Sequence, residues 1–190
     1  MDKPLEITNY IDDIHLQRFR NYIDRNYKSF SKITNGLYIQ KFGVDSWYED
    51  SSVDISSLYD IRDLFFIYVK KLLKTYRETF SDDQIYLDNL WFVKRFKDVG
   101  QPVHNDTDGG RNPQLKYSGI LYLNSIARGG EIKFPNIDYK YKPKAGSLIL
   151  FPSRGSKWDH EVLPTLEQRY TIPIFFSDDK KFDLMEHIDE

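Results

Sequence analysis

The sequence predicts a mainly β domain with helices at its N-terminal end. Two helical stretches come first, within about the first 80 residues. Past about Ser81 the apolar period falls from three-to-four to two. Aromatics are plentiful throughout, with 14 Tyr, 13 Phe and 3 Trp, and Tyr and Phe favour pleated, half-buried surfaces.

The first helix is expected from about Asp12 to Tyr27, where Ile14, Phe19, Tyr22 and Ile23 recur at helical spacing. A stronger helix is expected from about Ser57 to Phe80. Leu58, Ile61, Phe65, Val69, Leu72, Tyr76 and Phe80 form its stripe, and Ser57 with Asp60 resembles a capping box. Between the two, Asn35-Gly36 and a mixed segment through Asp54 predict a hairpin or loop. Strands are expected at 89–96, 115–124, 130–134, 147–151 and 169–176, separated by Gly, Pro, Asn and Asp. Short strands at this spacing favour a sandwich or barrel over a βαβ sheet. The stretch after Asp178 reads as a charged tail.

At 190 residues the chain fits one domain, with helical support over about 1–85 and a β-core over about 86–180. Net charge is −2 with both signs dispersed, which disfavours nucleic acid as a partner because phosphate binding needs a basic surface. No Cys occurs, so disulfides, thiolate metal sites and a Cys nucleophile are excluded. Met1 is followed by Asp2, Lys3 and Glu6 rather than an apolar signal core, and the apolar run Leu64 to Val69 is too short for a membrane span. The expectation is a soluble, cytoplasmic monomer.

Four His occur. His15 falls in the first helix and His187 in the tail, and both read as packing or surface residues. His104-Asn105-Asp106 is different: on a strand, residues two apart share a face, so His104 and Asp106 can meet one ion. With 21 Asp and 4 His, chance alone supplies about 0.4 such triplets, and the turn formers Asp106, Asp108, Gly109 and Gly110 also fit a loop. The triplet therefore needs company. It has some in His160, just past the apolar strand SLILF. Two imidazoles and one carboxylate make a set that leaves three positions of an iron(II) ion open on one side. Arg169 follows nine residues later and opens the apolar strand RYTIPIFF, with Thr171, Pro173 and Phe175 on its own face. A guanidinium there needs an anion or a hydrogen-bond network, and its planar fork matches a carboxylate. An internal salt bridge, for example with Glu167, is the competing arrangement.

In this order the elements resemble the 2-oxoglutarate/iron(II) oxygenases, in particular their prolyl 4-hydroxylase-like branch. The resemblance covers roughly Leu90 to Asp179. It rests on His104-x-Asp106, the strand ending Tyr122-Leu123-Asn124, Gly129-Gly130-Glu131 leading to Phe134-Pro135, the strand Lys144 to Phe151, and His160-Glu161-Val162 with Arg169-Tyr170. It implies a double-stranded β-helix (jelly-roll) core buttressed by the N-terminal helices. It further implies iron held by His104, Asp106 and His160. The far carboxylate of 2-oxoglutarate would lie on Arg169 and Tyr122, with Ile120 and Ser118 lining the pocket.

Phe96, Tyr117, Thr171, Phe175 and Trp158 are further candidates for pocket or substrate contact. Phe96 stands where many relatives carry Tyr, a role Tyr117 is a candidate to fill. Pro173 stands where some relatives place a polar contact, and a proline there also removes a ladder donor. The loop from Thr107 to Gln114 reads equally as a lid or as passive surface. The implied activity is O2-dependent hydroxylation of an unactivated C–H, a peptidyl proline first, with release of succinate and CO2 and ascorbate as a candidate reductant. A free amino acid or other small molecule is the alternative substrate. A non-catalytic metal- or ligand-binding jelly roll is the reading from another class.

Overall fold

The computed structural model of the chain describes residues 1–43, 58–107 and 112–186. Eleven strands form two antiparallel sheets among these residues. The first strand, β1 (Leu5–Ile7), precedes helix α1 (Asp13–Asn26). The hairpin β2 (Ser31–Thr34) and β3 (Leu37–Gly43) turns at Asn35-Gly36, where Gly36 takes φ +90°. Helix α2 (Arg62–Phe80) then leads into β4 (Tyr86–Arg95), β5 (Gln101–His104) and β6 (Leu115–Tyr122). The remaining strands are β7 (Ile132–Phe134), β8 (Tyr139–Tyr141), β9 (Leu148–Pro152), β10 (His160–Val162) and β11 (Arg169–Ser177).

The larger sheet runs β1-β9-β6-β11-β4-β3-β2 and the smaller β5-β10-β7-β8. Pleating gives the larger sheet two faces, and both are used. Tyr170, Ile172, Ile174 and Phe176 of β11, with Leu148 and Leu150 of β9, face the helices and join Phe19, Tyr22, Phe65, Val69, Leu72 and Tyr76 in one core. Alternate residues face the smaller sheet, where Ile120, Tyr122, Ile149 and Phe151 pack against Ile132, Phe134, Tyr141 and Trp158. This is a jelly-roll core with helices on its outer face. Gly119 of β6 lets the helix layer approach closely: a Cβ at that position would collide with the Tyr76 hydroxyl.

Several local expectations need correction. Ile14 is 75 % exposed, and α1 instead buries Leu16 with Phe19, Tyr22 and Ile23. The second helix begins at Arg62, so Leu58 and Ile61 are buried ahead of it rather than on its stripe. Ser57 of the expected capping box lies outside the described residues, and Asp60 pairs with Arg25. The strands β1, β5, β8 and β10 were not expected, since three or four residues are too few to show a period. Most of the loop between Thr107 and Gln114, and His187 in the tail, also fall outside the described residues. No described helix is long and apolar enough to cross a membrane.

Candidate metal centre and anion pocket

His104 ends β5 and His160 begins β10, and the two are direct partners across an antiparallel pair. Their rings stand 4.3 Å apart. Asp106 is not on the strand with His104, as the spacing suggested. It sits in the turn just past the strand end, where the Asn105 side chain accepts from the Thr107 amide and donates to Asp159 Oδ1 at 3.0 Å. That turn brings Asp106 Oδ1 to 3.7 Å from the Nε2 atoms of both histidines. One ligand atom from each of the three residues lies within 4.8 Å of the others.

The tautomers suit a cation. His104 Nδ1 lies 2.9 Å from the Pro102 carbonyl and His160 Nδ1 lies 2.9 Å from the Trp158 carbonyl. A carbonyl only accepts, so each Nδ1 carries the proton and each Nε2 keeps its lone pair on the side of the cluster, 3.7 Å from Asp106 Oδ1. Burial holds the His104 pKa below the usual imidazole value, the nearby His160 adds to this, and Asp106 opposes it. A neutral imidazole is the form that binds metal. Two neutral imidazoles and one carboxylate, with no thiolate, form a donor set suited to iron(II).

His104 Nε2 has one partner already. The Gln101 side-chain amide donates to it at 3.0 Å, and Gln101 Oε1 accepts from Arg95 Nη2 at 3.0 Å.

The cluster opens on a cavity of about 1160 Å³ between the two sheets, lined on its floor by Ser118, Ile120, Thr171, Pro173 and Phe175. Arg169 reaches the same floor, only 2 % exposed, and makes no ion pair among the described residues. Glu167, the expected salt-bridge candidate, instead accepts from the Ala127 amide. Arg169 Nε and the Tyr122 hydroxyl are both buried without a hydrogen-bond partner, although the guanidinium carbon stands 5.3 Å from the Tyr122 ring centre. Burial pushes the Tyr122 phenol well upward, an effect that Arg169 partly offsets. A buried guanidinium beside a phenol OH has the donor chemistry that suits a carboxylate.

Three sequence candidates stand elsewhere. Phe96 packs against Tyr27 and Tyr38, Tyr117 stacks on Phe80 at 3.8 Å, and Trp158 packs against Phe134 behind His160. Beside Phe96, at the end of β4, Arg95 does face the cavity, along with Asn89, Trp91 and Val93 of the same strand, and it is paired across the sheet with Arg169. The signal for it was present: an Arg inside the apolar strand LWFVKRF invites the question that Arg169 raised.

Residues 91–177 match the family model described as the 2OG-Fe(II) oxygenase superfamily. The matched segment, just under half of the chain, is similar to that superfamily. Among curated proteins, prolyl 3-hydroxylase 2 of Gallus gallus is 30 % identical over 112 residues, half of this chain but 16 % of that protein. The chain therefore spans about a sixth of the length of that relative. Among solved structures, the viral collagen prolyl hydroxylase of Paramecium bursaria Chlorella virus-1, determined with 2-oxoglutarate, aligns at TM-score 0.64 and 16 % identity, covering 93 % of this chain and 96 % of that one. A Trichoplax adhaerens prolyl hydroxylase, solved with a hypoxia-inducible-factor peptide, aligns at TM-score 0.66 and 18 % identity, covering 100 % and 89 %. The oxygenase fold of these neighbours is the fold of this chain.

Proposed function

We propose that this protein is a 2-oxoglutarate- and iron(II)-dependent oxygenase that hydroxylates a peptidyl proline. One observation carries the reading: a His104–Asp106–His160 cluster with both Nε2 lone pairs turned inward shares a cavity with a buried, unpaired Arg169. When bound, the metal, 2-oxoglutarate and O2 supply C–H hydroxylation, with the co-substrate leaving as succinate and CO2. The chain supplies orientation and dryness. The Pro102 and Trp158 carbonyls fix the imidazole rings, so the ligand atoms are set before a metal arrives. Arg169 and Tyr122 take the carboxylate farther from the metal. The apolar floor of Ile120, Pro173 and Phe175 keeps water from the reacting carbon.

Proline is favoured because the relative in Gallus gallus and both structural neighbours are named for prolyl hydroxylation. In the same reading, residues from about 86 to 180 form the catalytic unit and the helices before it are its buttress. The test is anaerobic addition of iron(II) and 2-oxoglutarate to the purified chain, which should develop the visible charge-transfer band of their chelate. Proline-containing peptides turned over in air should then gain the mass of one oxygen. No band at saturating ligand removes the oxygenase reading; a band without oxygen gain removes only the proline reading.

A further inference from the structure

The co-substrate reading above uses one of two buried arginines. Arg95 of β4 is the direct cross-strand partner of Arg169 on β11, so the two side chains project from the same face into the same cavity. Arg95 is 5 % exposed. Its Nε and Nη1 are buried with no hydrogen-bond partner, and Nη2 has only the Gln101 amide oxygen. No carboxylate among the described residues pairs with either guanidinium. Burial and the like charge of Arg169 both press the Arg95 pKa down. Two desolvated cations side by side without an acid is a costly arrangement that a bound anion would relieve.

The charge count says how much anion is wanted. Among the charged side chains buried in the cavity lining, Asp106 offers one negative charge, against two guanidiniums and, once loaded, a divalent metal. A dicarboxylate removes two of the three positive charges left over, and one remains buried.

Resting on the oxygenase reading, we infer that Arg95 is a second carboxylate-binding residue of the cavity, distinct from the seat at Arg169. Gln101 now spends its amide N–H on His104 Nε2, the lone pair a metal requires, and its carbonyl oxygen on Arg95. A metal held by His104 would take the lone pair that now accepts from Gln101, while the bond from Arg95 to the Gln101 oxygen uses a different atom. The Arg95 Nε and Nη1 donors are unpartnered as they stand and can take a carboxylate edge-on. That carboxylate comes either from 2-oxoglutarate itself or from the molecule to be hydroxylated, as a free C-terminus or an acidic neighbour of the target residue.

The test uses the full chain loaded with Mn(II), without O2, in isothermal titrations of wild type, Arg95→Gln and Arg169→Gln. The first arm titrates 2-oxoglutarate. The second titrates N-acetylproline and its neutral amide onto the chain saturated with 2-oxoglutarate. If the co-substrate is the source, Arg95→Gln weakens 2-oxoglutarate by about ten-fold or more. If the second molecule is the source, 2-oxoglutarate binding is kept and the preference for the acid over the amide collapses by a similar factor. Arg95→Gln that binds every probe as wild type does, or loses acid and amide equally, overturns the inference. Should Arg95→Gln fail to fold, Arg95→Lys keeps the charge without the fork; it should lose several-fold on the carboxylate probe alone, and wild-type binding of all probes would equally overturn the idea. A wild-type chain that ignores 2-oxoglutarate is a different failure, since it removes the oxygenase reading.

Discussion

Gln101 donates a 3.0 Å hydrogen bond to His104 Nε2, the atom through which His104 faces Asp106 and His160. One lone pair serves one partner, so metal binding and this hydrogen bond exclude each other. A neutral hydrogen bond is worth about 0.5–1.5 kcal/mol net. Gln101→Ala should therefore raise Mn(II) affinity by roughly two- to ten-fold, read by electron paramagnetic resonance of free Mn(II). A fall in affinity would show that Gln101 supports the ligand instead of competing for it.

The metal and co-substrate roles separate by variant. His160→Ala removes a buried ligand and should abolish the rise in melting temperature that Mn(II) gives the wild type, since stabilisation by a ligand follows its affinity for the folded state. Arg169→Ala should keep that metal-dependent rise while weakening 2-oxoglutarate by about a hundred-fold, the loss of a charge-assisted pair in a buried site. Equal effects of both variants on both ligands would contradict the division of roles.

Gly119 and Tyr76 form a steric pair. With the Tyr76 hydroxyl lying where a Cβ would stand and the Ile149 carbonyl close by, Gly119→Ala should cost about 1–3 kcal/mol in urea unfolding, because the helix layer has to shift. The Tyr76 hydroxyl is itself buried without a partner, so Tyr76→Phe should be neutral or stabilising. In the Gly119→Ala background it should recover part of the loss. An additive double variant would mean that the hydroxyl is not what the added methyl meets.

The Lys94 side chain is only 6 % exposed, and Asp24 Oδ1 accepts from both its Nζ and the Tyr170 hydroxyl at 2.7 Å. Partial burial raises the Asp24 pKa, but the bonds from Lys94 and Tyr170 outweigh it, and the folded-state pKa lies below the usual value. A depressed folded pKa means that the stabilisation is complete above the unfolded carboxylate pKa of about 3.9. It is lost as pH falls through the lower, folded value. Asp24→Asn should cost about 1–3 kcal/mol near neutrality by leaving Lys94 buried and uncompensated. Its melting temperature should also fall less steeply than that of the wild type below about pH 4. Parallel curves would exclude Asp24 as a source of the acid sensitivity.

The sequence by itself determined which residues repeat with which period, and that reaches far into this protein. The alternation in RYTIPIFF separates Tyr170, Ile172, Ile174 and Phe176, which face the helices, from Thr171, Pro173 and Phe175, which line the cavity. His104, Asp106, His160 and Arg169 could be singled out because an imidazole pair, a carboxylate and a guanidinium beside apolar strands each need an explanation before any fold is known. The tertiary structure decided what depends on pairing across strands. Only register places Arg95 opposite Arg169, and turns Phe96 outward against Tyr27 and Tyr38. The four short strands, two of them carrying the histidines, hold too few residues to show a period and exist because neighbouring strands supply their hydrogen bonds. Asp106 reaches the histidines through a turn closed by Asn105, a local hydrogen-bond choice that spacing alone could not distinguish from a continuing strand.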